Sequence, residues 1–131
     1  MSNDPIVIID GARTPMGGLM GELSPMTAVE LGTTAIEAAI DRSGINANDI
    51  DEVIMGSTMP GPDEANIARI IALRLGCGDK VPAYTVHRNC ASGMQAIDSA
   101  AMAIASGRSN LVLAGGIEAM SQAPLLFHPK M

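Results

Sequence analysis

Residues 83–106 read AYTVHRNCASGMQAIDSAAMAIAS, and this stretch decides the fold. Residues 83–86 follow a proline and carry Tyr84, Thr85 and Val86, a short β-branched and aromatic run that suits a buried strand. From Cys90 onward the apolar positions Met94, Ile97, Ala101 and Ile104 recur with the period of a helix that buries one face. A strand ending near His87 therefore delivers Cys90 to a helix start. There the first amide N–H groups have no partner within the helix, and the summed peptide dipoles leave a partial positive charge. Such a place favours the thiolate, which is the nucleophilic form of cysteine. Ser92 and Gly93 extend the idea, since small residues let the backbone approach a substrate carbonyl and turn amides toward a developing oxyanion. On the residues alone a second reading stands beside this one, in which Cys90 is a small core hydrophobe.

Working outward toward the amino terminus, residues 6–9 (IVII) are a continuous β-branched run, expected as a first strand covered on both faces. Residues 11–23 are glycine-rich but carry neither phosphate-loop pattern, so they read as a shaped loop. Arg13 in that loop could pair with a buried carboxylate or reach a ligand; the structural pairing, fixing its own loop or a subunit contact, is the one expected. Ser24-Pro25 predicts a helix start, Val29, Leu31, Ile36 and Ile40 its buried stripe, and Ser43-Gly44 its stop. A second strand over residues 53–55 closes at Gly56, and a helix over residues 66–75 buries Ile67, Ile70, Ile71 and Leu75 before Gly76. On the carboxyl side, Gly107 stops the helix that follows Cys90, and residues 111–114 form a fourth strand running into Gly115-Gly116.

The order β-α-β-α-β-α-β predicts an α/β fold with a mostly parallel sheet and helices on both faces. In such sheets ligands approach the carboxyl ends of the strands, where Cys90 and the turn at residues 115–121 both emerge. Glu118 in that turn is expected to have a structural hydrogen-bonding role beneath the site, and His87 is not expected to pair with Cys90.

With 131 residues, 47% of them hydrophobic and 17% charged, the chain has room for one well-buried domain. One Phe, one Tyr and no Trp leave the core to Ile, Leu, Val, Ala and the ten Met residues. A net charge of −6 with scattered basic residues argues against a nucleic-acid partner. No apolar run approaches the ~20 residues of a membrane span, and residues 1–5 lack the features of a signal peptide, so a cytoplasmic location is expected. Two cysteines are too few for a disulfide framework or a metal site. Both are expected reduced, Cys77 in a structural position.

Three separated motifs break the tie over Cys90. Asn89-Cys90-Ala91-Ser92-Gly93-Met94, Gly115-Gly116-Ile117-Glu118-Ala119-Met120-Ser121 and Arg13-Thr14-Pro15 closely resemble the amino-terminal part of the thiolases, the acetyl-CoA acetyltransferase and 3-ketoacyl-CoA thiolase family. The resemblance implies a truncated first half of the layered thiolase fold. Residues 1–121 would be an incomplete amino-terminal α/β domain, and residues 122–131 the start of an inserted loop region. Cys90 would be the nucleophile and carry an acyl thioester, with oxyanion or backbone support from Ser92 and Gly93. Coenzyme A would be a substrate rather than a permanently bound cofactor, and acyl-CoA the partner. The reaction implied is cleavage of 3-ketoacyl-CoA by CoA in fatty-acid β-oxidation, or condensation of acyl-CoAs in reverse. Full-length members are homodimers or homotetramers. The family's later histidine in a Gly-His-Pro context and its Cys-x-Gly cysteine have no counterpart here, so turnover by the chain alone is not expected. The alternatives are a related ketoacyl or hydroxymethylglutaryl-CoA synthase and a non-catalytic thiolase-like lipid-carrier or scaffold chain.

Overall fold

Thr27 starts the first helix through a reciprocal cap. Its hydroxyl accepts from the Glu30 amide at 3.2 Å, and the Glu30 carboxylate accepts from the Thr27 amide at 2.8 Å. This helix, α1 (Ala28–Ser43), ends where Gly44 turns left-handed at φ 69°. The structure, a computed structural model, describes residues 5–130, so the expectation for the extreme amino terminus falls mostly outside the described residues. Ser24-Pro25 is not the helix start. The Thr-x-x-Glu box satisfies two orphan amides where Ser24 offers one acceptor, and residues 18–26 form successive tight turns instead.

A 3₁₀ turn (Ala47–Asp49) leads into β1 (Glu52–Gly56), followed by α2 (Ile67–Arg74), β2 (Ala83–Val86), α3 (Ser92–Ala105), β3 (Val112–Gly116) and a 3₁₀ turn at Met120–Gln122. The three strands form one parallel sheet in the order β2-β1-β3. In the central strand every residue is buried, as a strand covered on both faces requires. Its side chains alternate. Val53 and Met55 face a core with Val29 and Ile36 of α1 and Ile67 and Ile71 of α2, while Ile54 faces Ala96 and Ala100 of α3. The result is the α/β fold with a parallel sheet and helices on both faces that the sequence predicts. Burial of each isoleucine in this core contributes about 2 to 3 kcal/mol.

Three expectations are corrected. Residues 6–9 have no regular structure and belong to no ladder among the described residues, and Ile8 is 82% exposed. A β-branched run becomes a strand only when a neighbour takes up its backbone groups, and here the chain is held by Arg42 instead, whose guanidinium donates to the Asp10 carboxylate and the Gly11 carbonyl. The sheet therefore has three strands among the described residues. Second, α3 buries Ser92, Ala96, Ala100 and Ala103, whereas Met94 and Ile97 are exposed. Both stripes have helical spacing; the small one wins because the helix lies close against the sheet. Third, Met55 is the only methionine buried among the described residues, so Ile, Val and Ala fill the core.

Candidate active site

The last residue of β2, Val86, is followed by a tight turn that presents Cys90. Asn89 adopts a left-handed φ of 48°, a conformation Asn tolerates better than most residues. The Ala91 amide donates to the Arg88 carbonyl and the Ser92 amide to the Asn89 carbonyl, each at 3.0 Å, and α3 begins at once. Cys90 stands exposed at the apex, one residue before the N-cap position. Ala91 there offers no side-chain cap, unlike Thr27 on α1 and Asn66 on α2. The amides of Cys90, Gly93 and Met94 donate to no backbone carbonyl among the described residues. These orphan donors and the helix dipole lie beside the thiol.

Two glycines set the depth at which this helix start sits. A Cβ on Gly56, at the end of β1, would stand 2.3 Å from the Ser92 carbonyl carbon, and one on Gly116, at the end of β3, 2.8 Å from the Gly93 Cα. Both distances are below any real carbon contact. The glycines thus let the first turn of α3 rest directly on two strand ends.

Around Cys90 a cleft of about 790 Å³ opens at the carboxyl ends of the strands. Its lining unites the three sequence motifs: Arg13 and Thr14 from the glycine-rich loop, Asn89 and Cys90, and Gly116, Glu118 and Ser121 from the turn after β3. The loop is fastened to that turn by the Met20 amide, which donates to the Ser121 hydroxyl at 2.8 Å, and by the Gln122 side chain, which donates to the Ser24 carbonyl. Met16, Met26 and Met120 contribute apolar wall.

Glu118 is occupied. Its carboxylate accepts from the Thr58 amide at 2.8 Å, the Met59 amide at 3.1 Å, the Ser57 hydroxyl at 3.3 Å and the Thr58 hydroxyl. It therefore clamps the segment after β1 to the turn after β3, the structural part expected of it. Arg13 lines the cleft, its guanidinium donating to the neighbouring Thr14 carbonyl; among the described residues it has no carboxylate partner, so the expected ion pair is not found there. The His87 imidazole accepts from the Asn89 amide at 3.3 Å and does not line the cleft.

Ser92 and Gly93 sit beside Cys90, but differently from one another. The Ser92 amide and hydroxyl are both spent inside the turn, and its side chain is buried. Gly93 keeps its amide. What sequence reasoning missed is the use of the Ser92 hydroxyl, which bonds back to a turn whose left-handed sense at Asn89 only the structure shows. The other thiol, Cys77, is 3% exposed, and burial pushes it up from its ordinary value.

Comparison with known proteins agrees with this geometry. A family model described as "Thiolase, N-terminal domain" matches residues 6–131. A "Probable acetyl-CoA acyltransferase" of Staphylococcus aureus is 41% identical over 121 residues, covering 92% of this chain and 31% of the relative, and a Staphylococcus epidermidis protein of the same name is 40% identical over the same span. The crystal structure of the Bacillus anthracis acetyl-CoA acetyltransferase superposes with a TM-score of 0.89 at 46% identity, covering 93% of this chain and 31% of that one. The chain thus spans about a third of the length of the relatives it matches, at their amino-terminal domain. With the three motifs gathered on one cleft and a family match along nearly its whole length, the chain belongs to the thiolase family.

Proposed function

We propose that this chain supplies the nucleophilic half of a thiolase site, with Cys90 forming the acyl thioester. The observation that carries the reading is the exposed Cys90 at an uncapped helix start, inside a cleft lined by all three family motifs. In the degradative direction the Cys90 thiolate attacks the 3-keto carbon of a 3-ketoacyl-CoA. A sulfur–carbon bond forms and the bond between C2 and C3 breaks. The electron pair passes to C2, which takes a proton as acetyl-CoA leaves, and CoA then accepts the acyl group from sulfur. The free amides of Cys90 and Gly93 are the donors available to the oxyanion, while Ser92 supports the turn.

Proton transfer at C2 needs a general acid or base. The titratable side chains lining the cleft among the described residues are Arg13, Cys90 and Glu118, and the carboxylate is already held by four donors. The chain on its own is therefore proposed to acylate without turning over. For the whole protein we infer a cytoplasmic homodimer or homotetramer acting in 3-ketoacyl-CoA degradation, with CoA as substrate.

The test is intact mass after brief incubation with acetyl-CoA or acetoacetyl-CoA. Wild type should gain one acetyl group and Cys90→Ala none. An adduct that survives in Cys90→Ala, or no adduct on wild type even when the remainder of a thiolase is added in trans, would sink the proposal. The same exposed thiol disfavours the scaffold alternative, which has no use for it.

A further inference from the structure

Ser92 is buried, at 4% exposure, in the first turn of α3, where a hydroxyl commonly caps the free amides of its own helix. Its Oγ does not cap α3. It reaches backward, donating to the Asn89 carbonyl at 2.6 Å and accepting from the Arg88 amide at 2.8 Å. Two peptide groups on the amino side of Cys90 are thereby tied to a residue on its carboxyl side. The Ser92 backbone in turn packs closely against Gly56, where a Cβ would stand 2.3 Å from the Ser92 carbonyl carbon. A chain of contacts thus runs from β1 through Ser92 to the residues that flank the thiol.

We propose that Ser92 is the positioning residue of the nucleophile: its hydroxyl holds the left-handed Asn89 turn and so fixes where Cys90 stands relative to the cleft. The Asn89 carbonyl accepts from both the Ser92 amide and the Ser92 hydroxyl, which points it into the turn. Its peptide bond with Cys90 is trans, so the Cys90 N–H is turned the opposite way, out of the turn. One hydroxyl therefore orients the thiol and the adjoining amide together. Without it the Arg88 amide loses its partner, and a non-glycine residue is left at positive φ with one fewer bond to keep it there.

The inference rests on Cys90 as the nucleophile, yet its test does not require acyl-CoA chemistry. In the full chain, Cys90 alkylation by iodoacetamide is followed by peptide mass across a range of pH. Ser92→Ala should react roughly tenfold slower with an altered pH profile, since a thiol's reactivity toward a free reagent follows the donors and the access around its sulfur. Ser92→Thr, which keeps the hydroxyl, should recover most of the rate. Asn89→Val, an exposed change that disfavours the left-handed turn, should slow the reaction as Ser92→Ala does; it carries the test if Ser92→Ala fails to fold. Wild-type rate and pH profile in folded Ser92→Ala, or in Asn89→Val, would overturn the proposal. If wild type is alkylated normally but takes no acyl group from acetoacetyl-CoA, the thioester reading fails and the positioning role stands.

Discussion

At the scale of single residues, the polar side chains around the cleft work mainly on the backbone. Glu118 gathers two amides and two hydroxyls from residues 57–59. Glu118→Ala leaves those donors partly buried and unpaired, at an expected cost of about 2 kcal/mol in denaturant unfolding. Wild-type stability in that variant would show that the clamp carries no weight. Asp51 does the same job at the opposite end of the sheet. It accepts from the Asn110 amide at 2.7 Å and the Leu111 amide at 3.0 Å, and these two bonds, Asn110 first, hold its carboxyl below the ordinary range. A lowered folded pKa contributes stability that is present above the unfolded value of about 4 and is lost as pH falls through the folded value. Melting temperature measured against pH should therefore fall more gently on the acid side for Asp51→Asn than for wild type. Cys90 was legible at this scale because a strand, a turn and a helix leave a periodic trace around it. The Ser92 hydroxyl was not, since a bond back across three residues depends on the sign of one φ angle, which composition does not record.

At the scale of elements, the decisive contact is between glycines and the start of α3. Gly56→Ala places a methyl 2.3 Å from the Ser92 carbonyl carbon, which is backbone and has no rotamer to yield. The expected loss is about 3 kcal/mol or more, at the upper end of overpacking penalties, together with slower Cys90 alkylation. A stable Gly56→Ala protein with unchanged Cys90 reactivity would contradict the seating described above. The same closeness explains why the stripe of α3 was misread. Periodicity finds a helix and ranks faces by hydrophobicity, so it favours Met94 and Ile97 over Ala96, Ala100 and Ala103. Distance to the sheet ranks faces by size, and in the folded chain that criterion wins. By contrast, the run at Val53-Ile54-Met55, of the same kind as residues 6–9, was read correctly, because there β2 and β3 take up its backbone on both sides and helices cover both faces.

At the scale of the whole molecule, the chain displays apolar surface in several places, among them residues 6–9, the loop residues Met16, Leu19 and Met20, the outer face of α3 at Met94, Ile97 and Met102, and Leu125, Leu126 and Phe127. Patches of this kind promote association. Dilution from tens of micromolar should accordingly change the sedimentation profile, and a hydrophobic dye should bind; a monodisperse, dye-silent monomer would contradict this. The strand expected at residues 6–9 fails for a reason that belongs to this scale, since pairing is a property of two segments and the sequence of one cannot declare it. The strand order β2-β1-β3 also carries a timetable. β1 meets β2 after one short crossover, but meets β3 only after some sixty residues of loop are closed, a contact slower to form. Gly116, half of the seat beneath α3, arrives with that last strand. During refolding, recovery of native Cys90 reactivity should therefore trail the helical circular-dichroism signal: the chain becomes chemically competent only after most of its shape is in place.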